Sequence, residues 1–124
     1  GISSSVTSLD LSAYIVIGTE TGIDYTERVL DEIYGEIEKL QKHPAGKEEL
    51  ETVRNYMLGE MVRMFDGPFL TAEAFRAAWE FGLGNSFYYR LAEKIKTIDQ
   101  DEIMHLAGTY YNIDNMYEIV VGKK

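Results

Sequence analysis

Apolar and polar positions alternate from the first residues. Ile2, Ser4, Val6 and Ser8 share one face of an extended run, and Leu11, Ala13, Ile15 and Ile17 share one face of the next. Ser8-Leu9-Asp10 supplies the turn between them, so residues 1–19 read as a β-hairpin, with Gly18 and Gly22 loosening its exit. The period then changes to that of a helix. Asp24 and Glu27 have capping-box spacing, and Val29, Ile33, Ile37 and Leu40 recur at helical intervals until His43-Pro44, which predicts a helix over 25–42. Leu50, Val53, Met57, Met61 and Met64 repeat the stripe from about residue 47, with Gly67-Pro68 as its stop. Shorter helices follow over Thr71–Phe81 and Ser86–Lys96, separated by Gly82-Leu83-Gly84-Asn85. Asp99 and Glu102 form a second capping box, opening a helix through about Tyr110 on Ile103, Leu106 and Ala107. Asn112 to Asn115 turns the chain, and Tyr117-Glu118-Ile119-Val120-Val121 reads as a closing strand before Gly122 and two lysines.

Two strands, five helices and one strand, without βαβ alternation, make the class α+β. The expected architecture is an antiparallel sheet, built from the N-terminal hairpin and the C-terminal strand and covered by the helices. The sheet is expected to be completed by a strand from further upstream, because three strands make a narrow layer. At 124 residues the chain is read as a single domain, 1–124, with one core. It opens at Gly1 on an already alternating stretch, so it is expected to be a partial domain from the C-terminal portion of something larger.

Charge narrows the partners. Twelve Lys and Arg against twenty-one Asp and Glu give a net −9, which repels phosphate backbones and anionic headgroups, so neither nucleic acid nor a membrane surface is expected. No apolar run approaches the roughly 20 residues of a membrane-spanning helix. The chain has no cysteine, hence no disulfide, thiolate nucleophile or thiolate metal site, and the compartment stays open.

Candidate chemistry is sparse. His43 precedes a proline and His105 lies on a helix, each without a second histidine four residues away. Glu102 and His105 form one Glu-x-x-His, but a di-iron bundle needs that motif twice with two more inward glutamates. Asp31, Glu32, Glu36, Glu38, Glu48 and Glu49 lie opposite the apolar stripes, as solvated helix faces do. Ser3, Ser4 and Ser5 lack a nucleophile elbow, and Gly82-x-Gly84 reads as a helix stop and not as a phosphate loop. No catalytic, cofactor or metal residue is therefore assigned. Nine tyrosines, with Tyr88-Tyr89 and Tyr110-Tyr111 as doublets, place amphipathic rings at the edge of a core or on a peptide-contacting surface. Met57, Met61 and Met64 read as core packing. Gly35, Gly59 and Gly108 interrupt predicted helices and are expected to mark close backbone approaches.

Two segments resemble a known family. They are Leu40 through Phe69, with Glu48-Glu49-Leu50 and Tyr56-Met57-Leu58-Gly59-Glu60, and Tyr89 through Gly122. The second holds Ile95-Lys96-Thr97-Ile98-Asp99-Gln100-Asp101-Glu102-Ile103, Leu106-Ala107, Tyr110-Tyr111 and Val120-Val121-Gly122. Together they resemble the closing stretch of the pitrilysin/insulinase family of zinc peptidases, over nearly the whole chain. The shared motifs are helix caps and packing positions. The resemblance implies two halves of paired α+β domains closing around an unfolded peptide, with this chain at the C-terminal end of the second half, the half that binds no zinc.

The family's His-x-x-Glu-His helix and downstream glutamate belong to the first half and are absent here. The Arg and Tyr pair of the second half would lie just before Gly1-Ile2-Ser3-Ser4, so no family site residue carries over. The resemblance implies a non-catalytic, substrate-enclosing portion of a zinc metallopeptidase, with zinc bound by another domain. Its partners would be a peptide or unfolded polypeptide and an N-terminal catalytic half. If its carboxylates faced the chamber, basic peptides would be favoured. The alternative is a structural or interaction domain of an inactive family member. The hairpin's exposed edge adds self-association of this fragment as a further expectation.

Overall fold

The computed structural model describes residues 1–122 and is α+β. It runs β1 (Ile2–Ser8), β2 (Ala13–Thr19), α1 (Thr26–Lys42), α2 (Lys47–Arg63), α3 (Pro68–Glu80), α4 (Phe87–Thr97) and α5 (Gln100–Tyr110), with short 3-10 turns at Ile23–Tyr25 and Ile113–Asn115. Two compact units share the chain, one of Gly1–Lys39 with Tyr111–Lys124 and one of Leu40–Tyr110.

In the first unit β1 and β2 pair antiparallel from Ile2 opposite Thr19 to Ser8 opposite Ala13, which puts Val6 beside Ile15 and Ser4 beside Ile17. The hairpin turns over residues 9–12, where the Leu9 N–H donates to the Ser12 carbonyl at 2.8 Å. Leu11 is thus in the turn and fully exposed, one strand position short of where the alternation placed it. Asp24 lies inside the 3-10 turn and not at a helix cap. At the junction the Thr26 hydroxyl donates to the Ile23 carbonyl at 3.0 Å and bridges the turn to α1. α1 is amphipathic as read, and Ile37 on its apolar face is buried.

The described C-terminal residues correct one expectation: Tyr117–Val121 forms no strand, and the sheet has two strands. The cause is local. Asn112 Oδ1 accepts the Asp114 N–H at 3.1 Å and fixes the turn, and Glu118 then accepts the Tyr34 hydroxyl of α1 at 2.8 Å. That hydrogen bond, with some desolvation and the carboxylate's charge, raises the Tyr34 pKa above its ordinary value. A β-prone composition makes a strand only where an edge is paired with it.

The second unit is held by long side chains that reach helix ends. Arg54 on α2 has a side chain only 18% exposed. Its Nε donates to the Ile95 carbonyl at 3.0 Å and its Nη2 to the Ile98 carbonyl at 2.8 Å, while Nη1 meets Glu51. A cation is thereby placed on the carbonyls that end α4, where the helix dipole favours it. Gln41 donates to the Ala107 carbonyl of α5 at 3.3 Å, and Gln100 donates to the Ala45 carbonyl. Lys94 of α4 meets Glu102 of α5. The Asp99 carboxylate caps α5 by accepting the Glu102 N–H at 2.8 Å, so half of the predicted capping box is formed, and the Glu102 carboxylate goes to Lys94.

Two boundaries move for physical reasons. α2 ends at Arg63, and Gly67-Pro68 opens α3 instead of merely closing α2. Gly67 has φ +89° and caps the new helix, and Pro68 takes the first-turn position where a missing N–H costs nothing. The inward face of α2 is Leu50, Arg54, Leu58 and Met61, all half-buried, whereas Val53, Met57 and Met64 are exposed. Seating Arg54 on α4 splits the methionine stripe, with Met61 inward and Met57 and Met64 outward.

Arg54→Ala is expected to lower stability by about 2–3 kcal/mol, because two carbonyls at a helix end lose a charged donor. Arg54→Lys should recover part of the loss, since a single ammonium cannot fork to both. Denaturant unfolding monitored by circular dichroism checks it, and an unchanged midpoint would contradict the clamp. A second correction concerns the helical glycines. A Cβ at Gly35, Gly59 or Gly108 would meet nothing within 4 Å, so none is a close approach. Each Gly→Ala change should therefore raise stability by about 0.5–1 kcal/mol, and a loss at any of the three would restore the close-approach reading there.

Candidate functional site

The residues screened for chemistry are dispersed. His43 is exposed in the bend after α1, and His105 is exposed on α5, while Glu102 is half-buried against Lys94. Ser3 donates to the Gly18 carbonyl at 3.4 Å as a cross-strand tie, and Ser4 and Ser5 are exposed. Asp31, Glu32, Glu36, Glu38, Glu48 and Glu49 are all exposed on α1 and α2. Among the described residues no three His, Asp or Glu side chains come together in a way able to hold a metal ion. Among the same residues no helix is long and apolar enough to cross a membrane.

What the second unit does assemble is an aromatic surface. On α3 the small residues face inward: Ala74 and Ala78 are buried and Ala77 is half-buried. Helical spacing then carries the large apolar side chains outward, so Phe69 is 89% and Trp79 81% exposed. Phe65 and Phe87 sit edge-on to the Tyr88 ring at 5.2 and 5.0 Å, and the Tyr88 hydroxyl donates to the Ala74 carbonyl at 2.9 Å. Tyr89 is exposed. Each tyrosine doublet splits in this way, with Tyr88 and Tyr111 half-buried beside exposed Tyr89 and Tyr110.

An open cleft of about 350 Å³ forms at the end of α3, lined by Phe75, Trp79, Gly82, Gly84 and Asn85. The backbone makes it. The Gly82 N–H donates to the Trp79 carbonyl and the Leu83 N–H to the Ala78 carbonyl, both at 2.9 Å, which is the Schellman closure of a helix. Gly82 and Gly84 have φ +66° and +68°, so side chains at these positions would strain the loop. Beside the cleft Arg76 is gripped by Glu73 and Glu80. Those hydrogen bonds raise the Arg76 pKa, and the bond from Arg76 lowers that of Glu73, so all three groups stay ionised and together carry one negative charge.

Trp79 carried no motif in the sequence. The signal that would have found it is the run of alanines at 74, 77 and 78, which assigns the inward face and leaves Phe75 and Trp79 outside it. Comparison of the chain with protein-family models, with curated proteins and with solved structures found no match.

Proposed function

We propose that this chain is the C-terminal, non-catalytic, peptide-enclosing portion of a zinc metallopeptidase of the pitrilysin/insulinase type, working beside an N-terminal half that holds the zinc. The observation that carries the reading is the outward aromatic surface of α3, with Phe69, Trp79 and the cleft beside it, in a chain whose titratable groups are spread over helix faces. Exposed Trp, Tyr and Arg side chains supply contact area at low entropic cost, and residues of these types dominate binding hot spots. An unfolded polypeptide offers apolar side chains to such a surface, and its cleavage then belongs to the zinc-bound water of the other half. Glu73, Arg76 and Glu80 together keep one negative charge, exposed and screened by solvent, so peptide sign should matter little here.

Trp79 is the only tryptophan, which makes its fluorescence a direct reporter of the cleft. Titration with an unstructured apolar-rich peptide should shift the Trp79 emission in a saturable way without any hydrolysis. Phe69→Ala should weaken binding on the order of tenfold, the loss of about 1.4 kcal/mol typical of an interface aromatic. Basic and acidic versions of the peptide should differ by less than that factor. No saturable shift with any such peptide, or full affinity in the Phe69→Ala variant, would contradict the reading.

A further inference from the structure

We propose that Asp66-Gly67, in the bend between α2 and α3, is a self-modification site: in the folded protein Asp66 isomerises to isoaspartate through a succinimide, and the product unseats the start of α3. This does not rest on the peptide-enclosing reading.

The reaction needs a carboxyl group and the backbone N–H that follows it, both free to meet. Asp66 and Gly67 are exposed. The bend's own hydrogen bonds stop just short of the pair, with the Phe65 N–H donating to the Val62 carbonyl and the Asp66 N–H to the Arg63 carbonyl, both at 3.1 Å. Among the described residues neither the Asp66 carboxylate nor the Gly67 N–H has a hydrogen-bond partner. Gly67 presents no side chain to crowd its nitrogen, and nothing lies within 4 Å of where a Cβ would stand.

The step balances without a co-reactant. The Gly67 nitrogen bonds to the side-chain carbonyl carbon of Asp66, and the carboxyl hydroxyl leaves as water with the proton of the N–H. Water then reopens the ring. Addition at the side-chain carbonyl restores aspartate, whereas addition at the main-chain carbonyl breaks the original peptide bond and routes the backbone through the side-chain carbon.

The other aspartates are each held back. The N–H after Asp24 donates to the Gly22 carbonyl at 2.9 Å, and the N–H after Asp114 donates to the Asn112 carbonyl at 3.0 Å. Asp31 lies inside α1, where the next N–H belongs to the helix ladder. The Asp99 carboxylate accepts the Glu102 N–H at 2.8 Å, which occupies both that carboxylate and the N–H following Asp101. Asp10 precedes Leu11, whose branched side chain crowds the attacking nitrogen.

Isoaspartate adds one methylene to the main chain between Phe65 and Gly67. Thr71 of α3 holds these two residues together, its hydroxyl lying 2.8 Å from the Gly67 carbonyl and 3.3 Å from the Phe65 carbonyl, and its N–H donating to Gly67 at 3.1 Å. The Phe65 ring meanwhile packs edge-on to Tyr88 at 5.2 Å and to Phe75 at 6.3 Å. A longer bend cannot keep Phe65 among these rings and Gly67 at the cap of α3 at once.

The test ages the 124-residue protein in warm neutral buffer, digests it under mildly acidic conditions and analyses the peptide of residues 64–76 by liquid chromatography and electron-transfer mass spectrometry. A second form of that peptide, of unchanged mass and with isoaspartate-specific fragments, should accumulate several-fold faster than isomerised forms at Asp10, Asp24, Asp31, Asp99, Asp101 or Asp114. Asp66→Glu should abolish it, because the longer side chain closes a less favourable ring, and Gly67→Ala should slow it. The aged chain should unfold at lower denaturant than the fresh one, and the aged Asp66→Glu variant should not. Gly67 has φ +89°, so Gly67→Ala is strained, and the exposed Asp66→Glu change keeps the test valid if that variant does not fold. No isoaspartate at residue 66, equal amounts at the other aspartates, or its appearance only in urea-unfolded chain overturns the proposal. So does an aged sample rich in isoaspartate at residue 66 whose unfolding midpoint is unchanged.

Discussion

The second unit depends on one guanidinium. Arg54 leaves the solvent, reaches the carbonyls of Ile95 and Ile98, and thereby joins α2 to the end of α4 through groups that a helix terminus must satisfy somehow. Burying such a cation is costly unless its donors are matched, and here the carbonyls and Glu51 match three of its nitrogens. Gln41 and Gln100 repeat the principle with neutral amides on the carbonyls of Ala107 and Ala45. The frame is thus a set of helix ends tied by long side chains, and it demands few large apolar residues inside.

That economy has a consequence for the surface. Among the described residues the buried ones are Ile37, Ala74, Ala78, Ile95 and Ala107, three of them alanines. Small residues at helix contacts let backbones approach, and they push the large apolar side chains of the same helices to the outside. Phe69 and Trp79 on α3 are exposed for this reason. Contiguous exposed aromatics on a helix face mark interaction surfaces more often than isolated apolar residues do.

Periodicity made most of the elements legible. The hairpin, all five helices and the Schellman stop at Gly82 follow from spacing, caps and glycine, because those signals are local. Three features were not legible, because each depends on what lies beside it in space and not on its own spacing. Tyr117–Val121 has strand composition, yet its Glu118 is taken by Tyr34 on α1. Met57 and Met61 of α2 both have core spacing, yet with Arg54 on the inward face only Met61 shares it. Gly35, Gly59 and Gly108 suggested crowding, yet the space beside each is open. Pro68 shows an ambiguity of a different kind, since the same residue can end one helix or begin the next, and only the position of Gly67 decides. Trp79 was hidden because an exposed aromatic has no periodic signature of its own. Its place follows only after the alanines opposite it are assigned to the interior.

The central claim is that side chains bonded to helix ends, Arg54 first among them, make α2 and α4 one cooperative frame that presents the aromatic surface. Native-state hydrogen exchange of the 124-residue protein, resolved by residue, tests it most directly. The amides around Arg54 in α2 and those of the last turn of α4 should be among the slowest and should open with a common free energy, as members of one unit. If α4 exchanged through an opening independent of α2, at a clearly lower free energy, the clamp would not be what holds the frame together.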